Sequence, residues 1–431
     1  MKTVYSLFCT DVIHKGHLNI IAEAQKYGEL TVGVLADRDR IRFNRYPLLD
    51  LDERVRLIER LDGVSRVIVQ ETMDYAATIA SLRPDYIIHG DNWQTGAEQR
   101  IRQNVLLNLA KYGGELIEIP YTFDPEAMRI DQIAKHRLAM PEHRRASLRK
   151  LLQLRDIVKI MEAHSGLTGL IVEKTIVDNG ETLDQFDGMW LSSLCDSTSR
   201  GKPDIELVSM YDRMRTVDEI MEVTTKPLIV DGDTGGLAEH FAYNVRSLER
   251  MGVSAIIIED KKGLKRNSLF GTEVKQTQED IEPFCEKIRA GKHTQRTADF
   301  MIIARIESLI LQKGLEDALT RAKAYVAAGA DGIMIHSREK TPDEVFQFAR
   351  AFRKENKTTP LVVVPTAYST VYEKELIKEG INIVIYANQQ TRAAYRSMQN
   401  TVESILTNGR AYEVEQNLVP FKEIISLIDI E

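Results

Sequence analysis

The sequence predicts an α/β chain of two domains, an N-terminal Rossmann-like open parallel sheet followed by a (β/α)8 TIM barrel. Three observations carry that expectation. The chain has 431 residues, too many for one ordinary core and enough for a barrel beside a domain of roughly 130 residues. Its first ~120 residues alternate short apolar runs with helical periodicity. From Gly169 onward, eight short apolar runs recur, each separated from the next by a helix-like stretch.

In the first part the apolar runs are residues 4–9, 30–35 and 86–89, with a helix after Asn19 and another from Asp52, the rhythm of a parallel sheet. Residues 135–151 are dense in His and Arg and contain Pro141, which predicts an exposed helical connector. The expected divisions are a first domain over 1–135, a linker over 136–151 and a barrel over 152–431. The eight barrel runs are 169–172, 188–192, 227–230, 255–258, 301–306, 332–335, 361–364 and 383–386.

Apolar residues make up 43% and charged residues 28%, the balance of a folded, soluble protein. A net charge of -7 with basic residues spread along the chain argues against nucleic acid as a partner. Cys9, Cys195 and Cys285 are odd in number and widely spaced, which suits neither a disulfide framework nor a zinc site and points to the reducing cytoplasm. No apolar stretch approaches the ~20 residues of a bilayer span, so neither a membrane nor export is expected.

A barrel carries its chemistry at the C-terminal ends of its strands. Asp231, Asp233 and Glu259 end adjacent runs and are expected to converge. Three such carboxylates repel one another unless a cation binds, and hard oxygen ligands suit magnesium or manganese. The alternative is that each acid caps the helix after its strand. Lys265, Arg305 and His336 are expected at the same mouth, which suits an anion bridged to a metal, such as a phosphorylated carboxylic acid. The charged segment 259–271, with Gly263 and Gly271, is expected to be a mobile lid, the alternative being a solvated loop.

The stretch Asp231-Gly-Asp-Thr-Gly235, the loop Glu259-Asp-Lys-x-x-x-Lys-Arg-Asn-Ser268, Ala304-Arg-Ile-Glu307 and Ile335-His-Ser337 resemble the phosphoenolpyruvate mutase family of the isocitrate lyase and phosphorylmutase superfamily. The resemblance covers residues 152–431. Carbon–carbon lyases of that superfamily carry a Lys-x-Cys-Gly-His loop, and this chain has no cysteine there. Phosphonopyruvate hydrolases lack an asparagine at the position of Asn267. The resemblance therefore implies a mutase of phosphonate biosynthesis that interconverts phosphoenolpyruvate and phosphonopyruvate, with phosphonopyruvate hydrolysis as the closest alternative. It implies Mg2+ (or Mn2+) on Asp231, Asp233 and Glu259, supported by Asp204. It also implies a substrate pocket formed by Trp190, Ser192, Ser193, Leu194 and Ser268. Lys265, Asn267, Arg305 and His336 are the implied grip on the phosphoryl group. Ser193 stands where the family often has glycine. The family also implies a homo-oligomer, dimer or tetramer, built by exchange of helices.

In the first domain His14-Lys-Gly-His17 follows the first run and precedes Leu18, where two imidazoles and a helix N-terminus could receive a triphosphate or could only cap the helix. Thr10-Asp11, Val32-Gly-Val-Leu-Ala-Asp37, Tyr46-Pro47 with Glu53-Arg54, and His89-Gly-Asp-Asn-Trp93 resemble the cytidylyltransferase family over residues 1–122. The resemblance implies a nucleotidyltransferase fold that uses CTP to place CMP on a phosphonate such as 2-hydroxyethylphosphonate, as in the fosfomycin pathway. The implied nucleotide-binding residues are Thr10, Asp11, His14, His17, Arg45, His89 and Asp91. Three departures oppose activity. Residues 123–128 read Phe-Asp-Pro-Glu-Ala-Met where hydroxyl and backbone donors are expected, Asn44 stands in place of a lysine, and Leu7 stands in place of a glycine. The expectation is a degenerate transferase domain. The alternatives are a bifunctional enzyme and a nucleotide sensor that binds CTP without turnover.

Overall fold

The computed structural model describes residues 2–43, 46–94, 98–122, 136–179, 183–263, 265–270 and 272–428. Contacts divide the chain into two compact units. One comprises Met1–Arg137 with Ile176–Gln185, the other Leu138–Thr175 with Phe186–Glu431. The return of 176–185 to the first unit departs from a simple cut along the chain. This excursion holds a two-stranded antiparallel pair, Val177–Asp178 with Leu183–Asp184, and Gln185 donates from Nε2 to the Tyr46 hydroxyl at 3.1 Å.

The first unit is a five-stranded parallel sheet of Thr3–Phe8, Glu29–Leu35, Arg66–Gln70, Tyr86–Gly90 and Glu115–Ile119, ordered third, second, first, fourth, fifth. Side chains alternate across a strand, so Tyr5 and Leu7 join one apolar cluster with Trp93 and Ile87, while Val4 and Phe8 join a second with Val32 and Ile88. Helix Leu51–Ile58 begins at a reciprocal cap between Asp50 and Glu53. Helix Lys15–Ala24 starts earlier than the apolar pattern suggests because His14 caps it.

The second unit is a closed parallel barrel of Val158–Glu162, Gly188–Leu191, Leu228–Asp231, Ala255–Glu259, Met301–Ile306, Gly332–Ile335, Leu361–Val363 and Ile383–Tyr386. These strands pair in chain order, and the eighth closes on the first. Seven coincide with expected runs, and the first does not. Residues 169–172 lie inside helix Gly166–Lys174, which Ser165 and Thr168 open with reciprocal caps. The true first strand, Val-Lys-Ile-Met-Glu, alternates buried and half-buried positions and was hidden by its polar residues. A short apolar run such as Gly-Leu-Ile-Val fits a buried helix as well as a buried strand.

The expected exposed connector is corrected in the same way. Pro141 occupies the first turn of helix Pro141–Leu154, where it starts the helix rather than interrupting it. The helix buries Arg144, Leu148 and Leu151. Arg144 donates to the carbonyl oxygens of Lys226 (2.8 Å), Met221 (2.9 Å) and Thr224 (2.6 Å), while Ser254 donates to the Arg144 carbonyl at 2.7 Å. Lys226 and Ser254 stand just before the third and fourth strands, so the helix floors the N-terminal end of the barrel and leaves the opposite end for chemistry. Among the described residues no helix is long and apolar enough to cross a membrane.

Candidate active site

A pocket opens at the C-terminal ends of the barrel strands. The second strand brings Trp190, Ser192, Ser193 and Leu194 to it, the third Asp231, the fifth Arg305 and the sixth Met334 and His336. Asp204 reaches it from a loop, and Lys265, Asn267 and Ser268 from the segment after the fourth strand. Val364, Thr366, Ala387 and Asn388 complete the wall after the seventh and eighth strands.

Beside this pocket, Asp231 and Asp233 flank a tight turn. Asp231 accepts from the Asp233 amide at 3.0 Å and from the Ser193 amide at 3.1 Å. Gly232 is required between them, because a Cβ there would sit 2.8 Å from the side chains of Ile256 and Ile258. Asp233, at a positive φ of 52°, accepts from Arg213 at 2.7 Å and from Lys265 at 2.5 Å. Burial opposes its charge, yet Lys265 and Arg213 outweigh burial and hold its carboxyl below the usual range.

Glu259 is 2% exposed, and neither carboxylate oxygen accepts a hydrogen bond. Burial pushes its pKa up against the nearby charges of Arg305, Lys265 and Lys261. Arg305 lies 3.3 Å and Lys261 3.5 Å from it as looser ion pairs.

The expectation that the three acids converge on one cation point is not met in this arrangement. Among the described residues no group of three His, Cys, Asp or Glu side chains is set to hold a metal ion. The physical reason is local: Asp233 is committed to two cationic side chains and Asp231 to two backbone amides. Glu259 by its chemistry suits a hard divalent cation, since it presents two buried oxygens that accept no hydrogen bond.

The charged segment after the fourth strand is not simply a solvated loop. Lys261, Lys265 and Ser268 are buried, and Lys261–Lys262 pairs with Thr277–Gln278. Lys265 donates to Ser193 Oγ at 2.7 Å and lies 3.5 Å from Asp204. Burial works against its charge, but Asp233, Asp231 and Glu259 keep its pKa well above that of a free lysine. Asn267 donates to Asp204 at 2.9 Å. Ser268 Oγ accepts from Lys261 (2.7 Å) and Arg305 (2.5 Å) and donates to Glu307 (2.7 Å). Gly271, expected at the end of the lid, lies outside the described residues.

Arg305 donates from Nε to Glu307 at 2.6 Å and meets His336 Nδ1 at 2.8 Å. A guanidinium has no acceptor, so Nδ1 accepts and the ring proton sits on Nε2. Burial first, and the Arg305 charge second, push the His336 pKa down. Glu307 is held well below the carboxylate range because Arg305 and Lys261 overcome its burial.

Sequence reasoning missed Arg213 and Asn388, and it placed Lys261 and Glu307 at strand ends without giving either a role. Glu307 had a signal, since it stands two residues after Arg305 and faces the same side of the strand end. Arg213 had none, because helix Met210–Glu222 carries several arginines and only the fold chooses one.

In the first unit the expected residues also gather after strand ends, in a different state. His14 Nδ1 accepts from Gly16 N at 3.1 Å and His17 Nδ1 from His14 N at 3.4 Å, so both rings cap the helix. Their centroids lie 4.0 Å apart. Asp11 takes two 2.8 Å bonds from Arg40, and Arg54 lies 3.8 Å away. Thr10 donates to the Val12 carbonyl, Asp91 accepts from the Tyr121 amide, and His89 stacks on Trp93 at 3.7 Å. Leu7 is buried in the sheet. Arg45, Asn44 and residues 123–128 lie outside the described residues.

Comparison with known proteins separates the two units. The family model described as phosphoenolpyruvate phosphomutase matches residues 148–406, and the one described as cytidylyltransferase-like matches residues 9–129. The phosphoenolpyruvate phosphomutase of Tetrahymena pyriformis is 40% identical over 283 residues, 65% of this chain and 89% of that protein. The crystal structure of phosphoenolpyruvate phosphomutase from Streptomyces platensis subsp. rosaceus is 36% identical with a TM-score of 0.61, covering 65% of this chain and 94% of that one. A phosphonopyruvate hydrolase in complex with oxalate and Mg2+ is 35% identical with a TM-score of 0.59, covering 66% and 94%.

Proposed function

The chain belongs to the phosphoenolpyruvate phosphomutase family, and on that premise we propose that its barrel interconverts phosphoenolpyruvate and phosphonopyruvate. Identity is similar to mutase and hydrolase relatives, so the choice between them rests on one residue. Asn267 lines the pocket from the segment after the fourth strand and is tied to Asp204, at the position where the hydrolases lack asparagine.

Asp231, Asp233 and Glu259 would hold magnesium, which when bound neutralises charge on the pyruvoyl oxygens. The chain's own residues do the rest. Trp190, Ser192, Ser193 and Leu194 shape the three-carbon end, with Asp204 on the metal side. Arg305, His336 through its Nε2 proton, Lys265, Asn267 and Ser268 surround the phosphoryl end. The phosphorus–oxygen bond of phosphoenolpyruvate breaks as the phosphorus–carbon bond to C3 forms, so no proton has to be gained or lost. Loose phosphoryl transfer asks for positioning, charge stabilisation and exclusion of water rather than a side-chain nucleophile. The burial of Lys265 and Ser268 supports that exclusion.

The first unit is a degenerate cytidylyltransferase-like domain in this reading. Capping by both histidines, the Asp11–Arg40 pairing and the buried Leu7 support it. Bifunctional transfer of CMP from CTP to 2-hydroxyethylphosphonate, as in fosfomycin assembly, is the competing reading. A homo-oligomer, dimer or tetramer, is supported by helix Gln389–Asn408, which buries none of its residues and exposes Tyr395, Met398, Val402 and Leu406. Three free cysteines suit the cytoplasm.

The test is ³¹P NMR of the full chain with Mg2+ and phosphonopyruvate, and separately with CTP and 2-hydroxyethylphosphonate. Conversion to phosphoenolpyruvate without a CMP adduct is expected. Free phosphate as the main product would make the barrel a hydrolase, and a CMP adduct would make the chain bifunctional.

A further inference from the structure

The far wall of the pocket holds two polar side chains that the proposed mechanism leaves unused. Thr366 follows the seventh strand and Asn388 the eighth, and both line the pocket. Thr366 Oγ1 and Asn388 Oδ1 are buried and have no hydrogen-bond partner. Buried polar atoms are almost always satisfied in folded proteins, so an orphan at a pocket wall points to a missing ligand.

Asn388 is the more telling of the two. It stands at the N-cap of helix Gln389–Asn408, where asparagine is favoured because its side chain accepts from the first free amides. Here it makes no such bond. The side chain is 7% exposed and lines the pocket instead. The residue thus gives up a cap and leaves a polar atom unpaired, a double cost that packing does not explain.

The neighbourhood selects an anion. Going round the barrel, His336, Thr366 and Asn388 follow the sixth, seventh and eighth strands, which pair in order, and all three line the pocket. The N-terminus of a 20-residue helix, with no acidic residue in its first turn, begins at Asn388. Helix N-termini favour anions, and the ends of the seventh and eighth strands are a recurrent phosphate position in this architecture. The carboxylates, by contrast, sit at the third and fourth strands.

We propose that Thr366 and Asn388 form a neutral polar subsite for the phosphoryl oxygens, extending the grip of the Arg305 cation and the His336 Nε2 proton. Thr366 donates its hydroxyl proton, and a half turn of the Asn388 amide presents Nδ2 in place of Oδ1. Neutral donors can hold the phosphoryl group at both ends of its path without binding either end too tightly, as a second arginine would. The inference rests on the mutase reading and adds the residues that bound the moving group.

The test is calorimetry on the full chain with Mg2+ and two probes, 3-sulfopyruvate, whose sulfonate mimics the phosphoryl group, and oxalate, which has no such group. Thr366→Val and Asn388→Leu are expected to weaken sulfopyruvate binding by about tenfold or more each, the loss of a hydrogen bond to a charged group. Oxalate affinity should stay within about twofold, Thr366→Ser should restore sulfopyruvate binding, and melting temperature should hold or rise because an orphaned atom is removed. Unchanged sulfopyruvate affinity in both variants overturns the subsite. Equal weakening of both probes with a lowered melting temperature overturns it too, by showing a purely structural role. Failure of the unaltered chain to bind sulfopyruvate while binding oxalate sinks the mutase reading itself, and the subsite with it.

Discussion

The two units set charged residues after the ends of parallel strands in the same way, yet differ in what they leave without a hydrogen bond. In the barrel, cationic and anionic groups line a pocket, and Glu259 keeps two buried oxygens without a hydrogen bond. In the first unit, Asp11 is closed by both arms of Arg40, and the two histidines of the His-x-x-His motif accept from the backbone of their own helix. A motif records which groups arrive at a strand end. Function depends on whether their bonding capacity is already consumed when they get there.

The largest expected effect falls on the barrel. Arg305→Ala removes the charge between Glu307, Ser268 and His336 and should lower mutase turnover by about 10³-fold or more, as loss of a phosphoryl-stabilising arginine does. Rates within tenfold of the unaltered chain, by ³¹P NMR, would mean the phosphoryl group lies elsewhere. Asn267→Ala should cost about 10²-fold, the scale of one transition-state donor. Unchanged turnover of that variant would leave mutase and hydrolase undivided.

A third variant separates scaffold from chemistry. Arg144→Ala strips hydrogen bonds from three carbonyl oxygens and the Thr224 hydroxyl on the barrel floor. Unpaired buried acceptors of this kind should cost about 3 kcal/mol of barrel stability, read by urea denaturation, with the chemistry of the surviving folded protein intact.

The smallest effects test the first unit. His14→Ala should cost about 1 kcal/mol through the lost cap and leave mutase turnover unchanged. The His17 imidazole is pushed down to about 3, by burial first and by His14 second. Its unfolded value is about 6.5, so below that pH the unfolded chain binds a proton that the folded unit refuses. The contribution is therefore full above about pH 6.5 and is lost as pH falls toward 3, and His17→Gln should flatten that part of the stability profile. An unchanged slope would mean the ring is protonated in the fold and open to an anionic ligand.

Seven of the eight barrel strands and most of the pocket wall were legible in the sequence, because apolar runs that end in polar residues are a local signal. The first strand was not, since Val158–Glu162 carries a half-buried Lys159 and a buried Glu162, while the more apolar run of 169–172 was helical. Pro141 misled for the converse reason, marking a helix start where an interruption was expected.

What the sequence determined by itself was the set of groups at each strand end, since residue identity and period-two alternation are properties of a short stretch of chain. Only the tertiary structure decided their partners. Lys265 reaches Asp233 across 32 residues, Arg213 reaches it across 20, and Asn388 turns from its own helix to the pocket. Those choices follow from barrel closure, which brings distant strand ends together in a dry space where each charge must be matched or left for a ligand.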